Sequence, residues 1–344
     1  MAALKSLATE EHWKFLAEFA RWEIAAGGPD PHMVLICHLS QGLPVEDRAW
    51  LAGCYMGFYN APAGLAMYTA WPWKTASSTL FGLEQWLTGY WPALPTRRER
   101  RTVRTPGKMA QYFWAYRQWV EWLLEEAEEM DGTSGTSSRD DYEVLWFWLG
   151  EVYSVGRYAQ FKILECLRRM DVIQVEMPDI RPVGAGSPRT VLSWLWPHHR
   201  GLLLDGKDRE AIQQVNDLVT LTQERLQAEY NLALDLYTLE VVLCDYRQSL
   251  EGKRQYPGRS HDSELGYLER VQWEFPEVKT RLLQARREIF PRECLGEIQG
   301  WPGVRKELGA VLSTFGYTWS DLKFKYSGSM LNLGQPVLQA TLKG

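Results

Sequence analysis

Apolar residues recur along most of this chain at spacings of three and four, the pattern of an amphipathic helix. Between Glu10 and Ala26, Trp13, Leu16, Ala17, Ala20 and Ile24 form one stripe, widened by Phe15, Phe19 and Trp22, and Gly27-Gly28-Pro29 ends it. Asp30-Pro31-His32 restarts a helix, with Asp30 as cap and Pro31 in the first turn. A third helix begins near Glu46 and carries Trp50, Leu51, Cys54, Tyr55 and Phe58. The same spacing predicts helices over Leu80–Tyr90, Met109–Met130, Tyr142–Tyr153, Tyr158–Arg169, Lys207–Leu250 and Glu264–Ile289. Lys207–Leu250 is long for one globular helix and needs a bend or break, and Pro276 should break or kink the last. No stretch sustains a period of two, so the expected fold class is mainly α.

Two interruptions shape the layout. Residues 131–141 (DGTSGTSSRDD) are small and polar, a solvated loop or a hinge, and residues 178–188 are rich in Pro and Gly, an ordered excursion between helices. At 344 residues the expectation is a single helical two-lobed domain, with a possible hinge at 131–141 and a separate C-terminal part from 264 to 344. No apolar run is long enough to span a bilayer, and the start lacks the pattern of a secretory signal, so a soluble chain is expected. Five cysteines, with no C-x-x-C pair and no histidine at zinc spacing, fit a reducing cytoplasm and give no support to a structural metal.

The net charge of −5 argues against a non-specific nucleic-acid coat but leaves room for a local basic groove. Seventeen tryptophans exceed ordinary usage; most must be core, and rings of this kind also stack on bases. Residues 97–104 hold five arginines in eight positions, including Arg97, Arg98, Arg101 and Arg104. This block reads either as a phosphate grip or as a solvated turn balancing nearby glutamates. Val155-Gly156-Arg157-Tyr158-Ala159 is a short turn between two helical patterns. A glycine there lets backbone N–H groups approach a phosphate, or simply makes a corner.

On a proline-stiffened loop, Asp179 and Arg181, with Arg189 downstream, suit either substrate orientation or a surface ion pair. Glu240, Cys244 and Arg247 share one helical face, an acid, a thiol and a base, although Cys244 alone reads as a buried thiol. His32 and the pair His198-His199 read more simply as capping or core residues than as catalysts. Gly300-Trp301-Pro302-Gly303-Val304 reads as a plain turn. The phosphate-binding loop, serine-elbow and dinucleotide glycine motifs do not occur.

Taken in order, several segments resemble one family. They are residues 27–33 (GGPDPHM), 50–55 (WLAGCY) with 59–63 (YNAPA), the 97–104 arginine block, 155–159 (VGRYA) with Lys162, Asp179-Ile180-Arg181 with Ser187-Pro188-Arg189, and residues 240–246. This resembles the amino acid:DNA transferases of tailed bacteriophages, also called α-glutamyl/putrescinyl thymine pyrophosphorylases, over roughly residues 13–262. The resemblance implies a helical fold similar to helix-hairpin-helix DNA glycosylases, working in the cytoplasm of an infected bacterium. A phage kinase activates 5-hydroxymethyluracil in DNA as a phosphate ester. The transferase then displaces (pyro)phosphate with the amine of an amino acid or polyamine, leaving a hypermodified thymine, and no cofactor is implied.

Residue by residue, the resemblance sets Gly156, Arg157 and Tyr158 at the hairpin, with Ser154 where the fuller motif has glycine. It sets Asp179 near the catalytic aspartate of that fold. Arg97, Arg98, Arg101, Arg104, Arg181 and Arg189 would hold DNA or leaving phosphate, and Asp179 or Glu240 would take the amine's proton. Asp30, His32, Asn60, Asp245 and Tyr246 fall in the matching segments as substrate-binding candidates, and Arg247 or Arg259 would grip an amino-acid carboxylate. Cys244 could add to C6 of the uracil ring and expel the leaving group. A base inside a duplex must be flipped out to react. A glycosylase-like hydrolase and a non-catalytic DNA-binding protein are the rival readings.

Overall fold

Helix formation follows the apolar stripes closely, and the helix ends follow the caps. The structure is a computed structural model describing residues 8–25, 28, 30–75, 79–94, 103, 105–131, 139–250, 265, 268 and 272–290. Its helices are α1 (Thr9–Ala25), α2 (Pro31–Leu39), α3 (Val45–Phe58), α4 (Ala61–Ala70), α5 (Leu80–Tyr90), α6 (Pro106–Asp131) and α7 (Arg139–Gly150). They continue with α8 (Arg157–Arg169), α9 (Gly186–Leu195), α10 (Arg200–Asp205), α11 (Arg209–Tyr230), α12 (Leu236–Leu250) and α13 (Pro276–Ile289). No strand occurs among the described residues, so the chain is mainly α. No described helix is long and apolar enough to cross a membrane.

The chain divides into two compact units. One contains α1 and α9 to α12; the other contains α3 to α8, α13 and all of α2 but its first residue. The chain crosses between the units at Pro31/His32 and Pro178/Asp179, and again before Leu268 and after Ile289, whereas α6 and α7 belong to the same unit.

Two breaks expected from the sequence occur, and one boundary differs. The Lys207–Leu250 stretch is two helices: Asp208 caps α11 by accepting from Ala211 N–H at 2.8 Å, and Asn231 ends it in the left-handed region at φ 50°. Asp235 then accepts from Thr238 N–H at 2.6 Å to open α12. The expected break at Pro276 occurs: residues 272–275 are not helical and Pro276 opens α13, where a first-turn proline lacks only an N–H that would be unpaired anyway. The Pro/Gly excursion is shorter than expected, since α9 begins at Gly186 and takes in Pro188. α4 was not anticipated, although Asn60 caps it and Pro62 lies in its first turn.

In the α2–α8 unit, α3 packs against α4, α6 and α8. Gly53 and Gly57, one turn apart, form a groove for the rings of α6: a Cβ on Gly53 would lie 1.9 Å from Tyr116, and one on Gly57 2.8 Å from Phe113. Inside this interface the Tyr112 hydroxyl donates to the Gly53 carbonyl and the Tyr116 hydroxyl to the Ala49 carbonyl, both at 3.0 Å. Gly53→Ala should therefore overpack a fully buried ring and cost about 1 to 3 kcal/mol. Urea unfolding of the variant against the parent measures it.

In the other unit, α9 packs on α12, α10 and α1. Its core includes Trp13, Leu16, Val191, Leu192, Leu195, Val242 and Leu243. Trp13 meets Trp196 edge-on at 5.5 Å, and Trp196 Nε1 donates to the buried Thr222 hydroxyl at 3.0 Å. Arg225 lies 4.5 Å above the Trp13 ring and pairs with Glu10 at 2.8 Å and Glu229 at 3.0 Å.

Candidate functional site

The α7–α8 hairpin is built by a turn that only unusual backbone can close. α7 ends at Gly150, α8 begins at Arg157, and Ser154 between them adopts φ 63°. That left-handed conformation is one a glycine adopts at least cost, and a serine holds it here. Gln160 Nε2 donates to the Trp146 carbonyl at 2.7 Å and ties α8 to α7. Gly156 caps α8, is exposed, and has no atom within 4 Å of where a Cβ would stand. The space over the first turn of α8 is therefore open, and its N-terminus carries partial positive charge. Arg157 lies 5.7 Å over the Phe161 ring. The Tyr158 hydroxyl is 2.8 Å from that of Tyr59. Phe147, Trp148 and Tyr153 are exposed rings on α7 and the turn.

In the α9–α12 unit, a second constellation begins at Asp179. Its carboxylate accepts the backbone N–H of Arg181 at 2.6 Å, and Arg181 Nε lies 4.0 Å from the same oxygen. Arg181 is left-handed at φ 49°, and the Asp179 carboxylate bonded to its N–H closes the turn locally. The acid is buried and the arginine half-buried. Beyond the loop, the packing of α9 on α12 joins two of the motif segments: Arg247 Nη1 donates to Ser187 Oγ at 3.3 Å. On α12, Glu240 and Asp245 are buried while Cys244 and Arg247 are half-buried. No disulfide links Cys37, Cys54, Cys166 or Cys244, and no group of His, Cys, Asp and Glu among the described residues could hold a metal.

Other expected contacts are occupied from within the fold. Arg189 donates through Nε to the Leu203 carbonyl at 2.5 Å and through Nη2 to those of Leu202 at 3.0 Å and Gly206 at 2.5 Å. It thereby closes the end of α10, where carbonyls lack helical partners, instead of presenting its guanidinium to a phosphate. Asn60 Oδ1 accepts from Ala63 N–H at 3.2 Å and His32 Nδ1 from Ala61 N–H at 3.0 Å, so both fully buried side chains cap α4. Asp30 is buried immediately before α2. His198 and His199 are exposed in a single 3₁₀ turn. Arg97, Arg98, Arg101, Arg104 and Arg259 lie outside the described residues, as do residues 300–304.

Tyr246 is also interior, and its partner escaped sequence reasoning. His12 of α1 sits with Nδ1 3.1 Å from the Tyr246 hydroxyl and stacks on Trp194 at 5.3 Å. Burial lowers the imidazole from 6.5 to about 4, with Glu11 opposing weakly. Between those values the unfolded chain binds a proton that the folded chain does not, so stability falls as pH drops from 6.5 to about 4, by about 3 kcal/mol in total. His12→Asn keeps an acceptor near the Nδ1 position without titrating, and urea unfolding across this range should show a shallower pH slope.

These features define an all-helical protein with a glycine-opened hairpin in one unit and an acid–arginine turn beside a polar helix in the other. The model of the amino acid:DNA transferase family matches residues 27–253, about two-thirds of the chain, and the chain belongs to that family. It is accordingly a DNA-modifying transferase that takes DNA and an amino acid as substrates. No curated protein and no solved structure matches the chain.

Proposed function

We propose that the enzyme joins the amine of an amino acid or polyamine to the 5-methylene of phosphorylated 5-hydroxymethyluracil in phage DNA. The observation carrying this reading is the Asp179–Arg181 turn, which places a buried carboxylate beside a cation in a backbone geometry fixed before substrate arrives. The amine must arrive without its ammonium proton; the Asp179 carboxylate accepts it, with Glu240 as the alternative base. The nitrogen lone pair then forms the C–N bond as the C–O bond breaks, and (pyro)phosphate leaves with that electron pair, stabilised by Arg181. Arg247 binds the amino-acid carboxylate. Cys244 is half-buried and serves as nucleophile only if the reaction passes through addition at C6.

The α7–α8 hairpin works as a helix-hairpin-helix element: Gly156 admits a DNA phosphate, Arg157 neutralises it, and the duplex is held while the target base is flipped. The arginines at 97–104 extend the same grip. A phage kinase supplies the activated ester, in the cytoplasm of the infected host.

Incubation with 5-hydroxymethyluracil DNA, a cognate kinase, ATP and pooled amino acids and polyamines, followed by mass spectrometry of nucleosides, tests the proposal. The expected product is a kinase-dependent nucleoside heavier by one amine minus water. Free base with abasic sites would replace transfer by a glycosylase-like reaction, and an adduct formed without the kinase would remove the activated ester.

A further inference from the structure

The turn joining α3 to α4 is held more firmly than a corner requires. Its first residue, Tyr59, takes φ 49° and ψ 42°, a left-handed backbone that costs a bulky side chain about 1 to 2 kcal/mol. Asparagine or glycine would close the same helix at less cost. The following residues fix the turn from both sides, through the Asn60 cap and the Ala61 N–H donated to His32. What this arrangement delivers is one phenol in one place. The Tyr59 ring packs on Tyr55 at 5.8 Å and meets Tyr158 edge-on at 5.8 Å, and the two hydroxyls lie 2.8 Å apart. Tyr59 is the enclosed member and Tyr158 the half-buried one. Tyr158 is the second residue of α8, two positions beyond the exposed Gly156.

We infer that Tyr59 is a positioning residue for DNA binding, acting through Tyr158 to hold its hydroxyl for a phosphate oxygen at the α7–α8 hairpin. Either hydroxyl of the pair can donate; with Tyr59 donating, the Tyr158 proton is left for the phosphate, and a hydroxyl that accepts a hydrogen bond becomes a stronger donor. The inference rests on the hairpin being the phosphate-binding element of the proposed function.

The test measures affinity for duplex DNA containing 5-hydroxymethyluracil across a salt series, by fluorescence anisotropy. The proteins are the parent, Tyr59→Phe, Tyr158→Phe, the double variant and Arg157→Gln, each with its melting temperature. Each phenylalanine variant should bind about 3- to 10-fold more weakly, the scale of one hydrogen bond. The double variant should bind no worse than the weaker single, because both changes break one linked contact. The salt slope of the phenylalanine variants should match the parent, since a neutral phenol releases no counterion, whereas Arg157→Gln should lower it by about one. A loss of melting temperature with unchanged affinity would make the pair merely structural and overturn the inference, as would losses that multiply in the double variant. If Tyr59→Phe lowers stability as well, Tyr158→Phe breaks the same bond from its outer member and must still show the affinity loss. If Arg157→Gln lowers the slope while Tyr59→Phe binds like the parent, only the inference fails. If neither variant changes binding, the hairpin reading fails and takes the inference with it.

Discussion

Asp179→Asn is expected to lower the transfer rate by about 10²- to 10⁴-fold, the usual contribution of a positioned general base. The substitution keeps an oxygen to accept the Arg181 N–H, so the 2.6 Å contact that holds the left-handed turn survives. What disappears is the negative charge and the ability to take a proton from the incoming ammonium. Single-turnover measurement of the modified nucleoside separates this from weakened binding, because the loss should persist at saturating amine. Activity within about threefold of the parent would move the base elsewhere, and Glu240→Gln would then carry the defect.

Glu165→Ala should be the most destabilising of the changes considered, costing about 3 to 5 kcal/mol. Lys162 is 1% exposed and its Nζ donates to Glu165 Oε2 at 2.6 Å, while Arg169 Nε reaches the other carboxylate oxygen at 2.9 Å. Deleting the carboxylate removes the anion that faces this buried ammonium. A Lys162→Met change placed on top of Glu165→Ala should restore much of the loss, since the cost lies in burying a cation whose carboxylate has been removed and not in the missing contact. Urea unfolding of both variants decides it, and a double variant no more stable than Glu165→Ala would assign the cost to packing.

The helices themselves were legible because they are amphipathic: α5 runs from Leu80 to Tyr90, as the spacing predicts, and α1, α3, α6 and α8 each lie within three residues of expectation. Boundaries depending on a single cap were harder to read. Asn231 and Asp235 carry the signals that divide α11 from α12, but the apolar stripe runs through them. α4 is short and apolar nearly all round, so it shows little periodicity to detect.

For the candidate site, residue type and order name Asp179, Arg181, Gly156 and Tyr158 as candidates, because they sit in short motifs whose chemistry is local. The fate of each polar side chain is not local. Arg189 looks like a phosphate ligand in sequence and instead closes α10, since the carbonyls it meets lie 13 to 17 residues further along the chain. His12 carries no signal at all until α1 and α12 pack and bring it to Tyr246, 234 residues away. Tyr59 reads as one more aromatic until α3 and α8 meet and its hydroxyl reaches that of Tyr158. Periodicity and capping act between neighbours in the chain, so sequence alone yields the helices, the mainly α class and the family motifs. Hydrogen-bond partners, burial and charge pairing are set by which helices touch, so only the packed structure reveals which polar residues serve the fold.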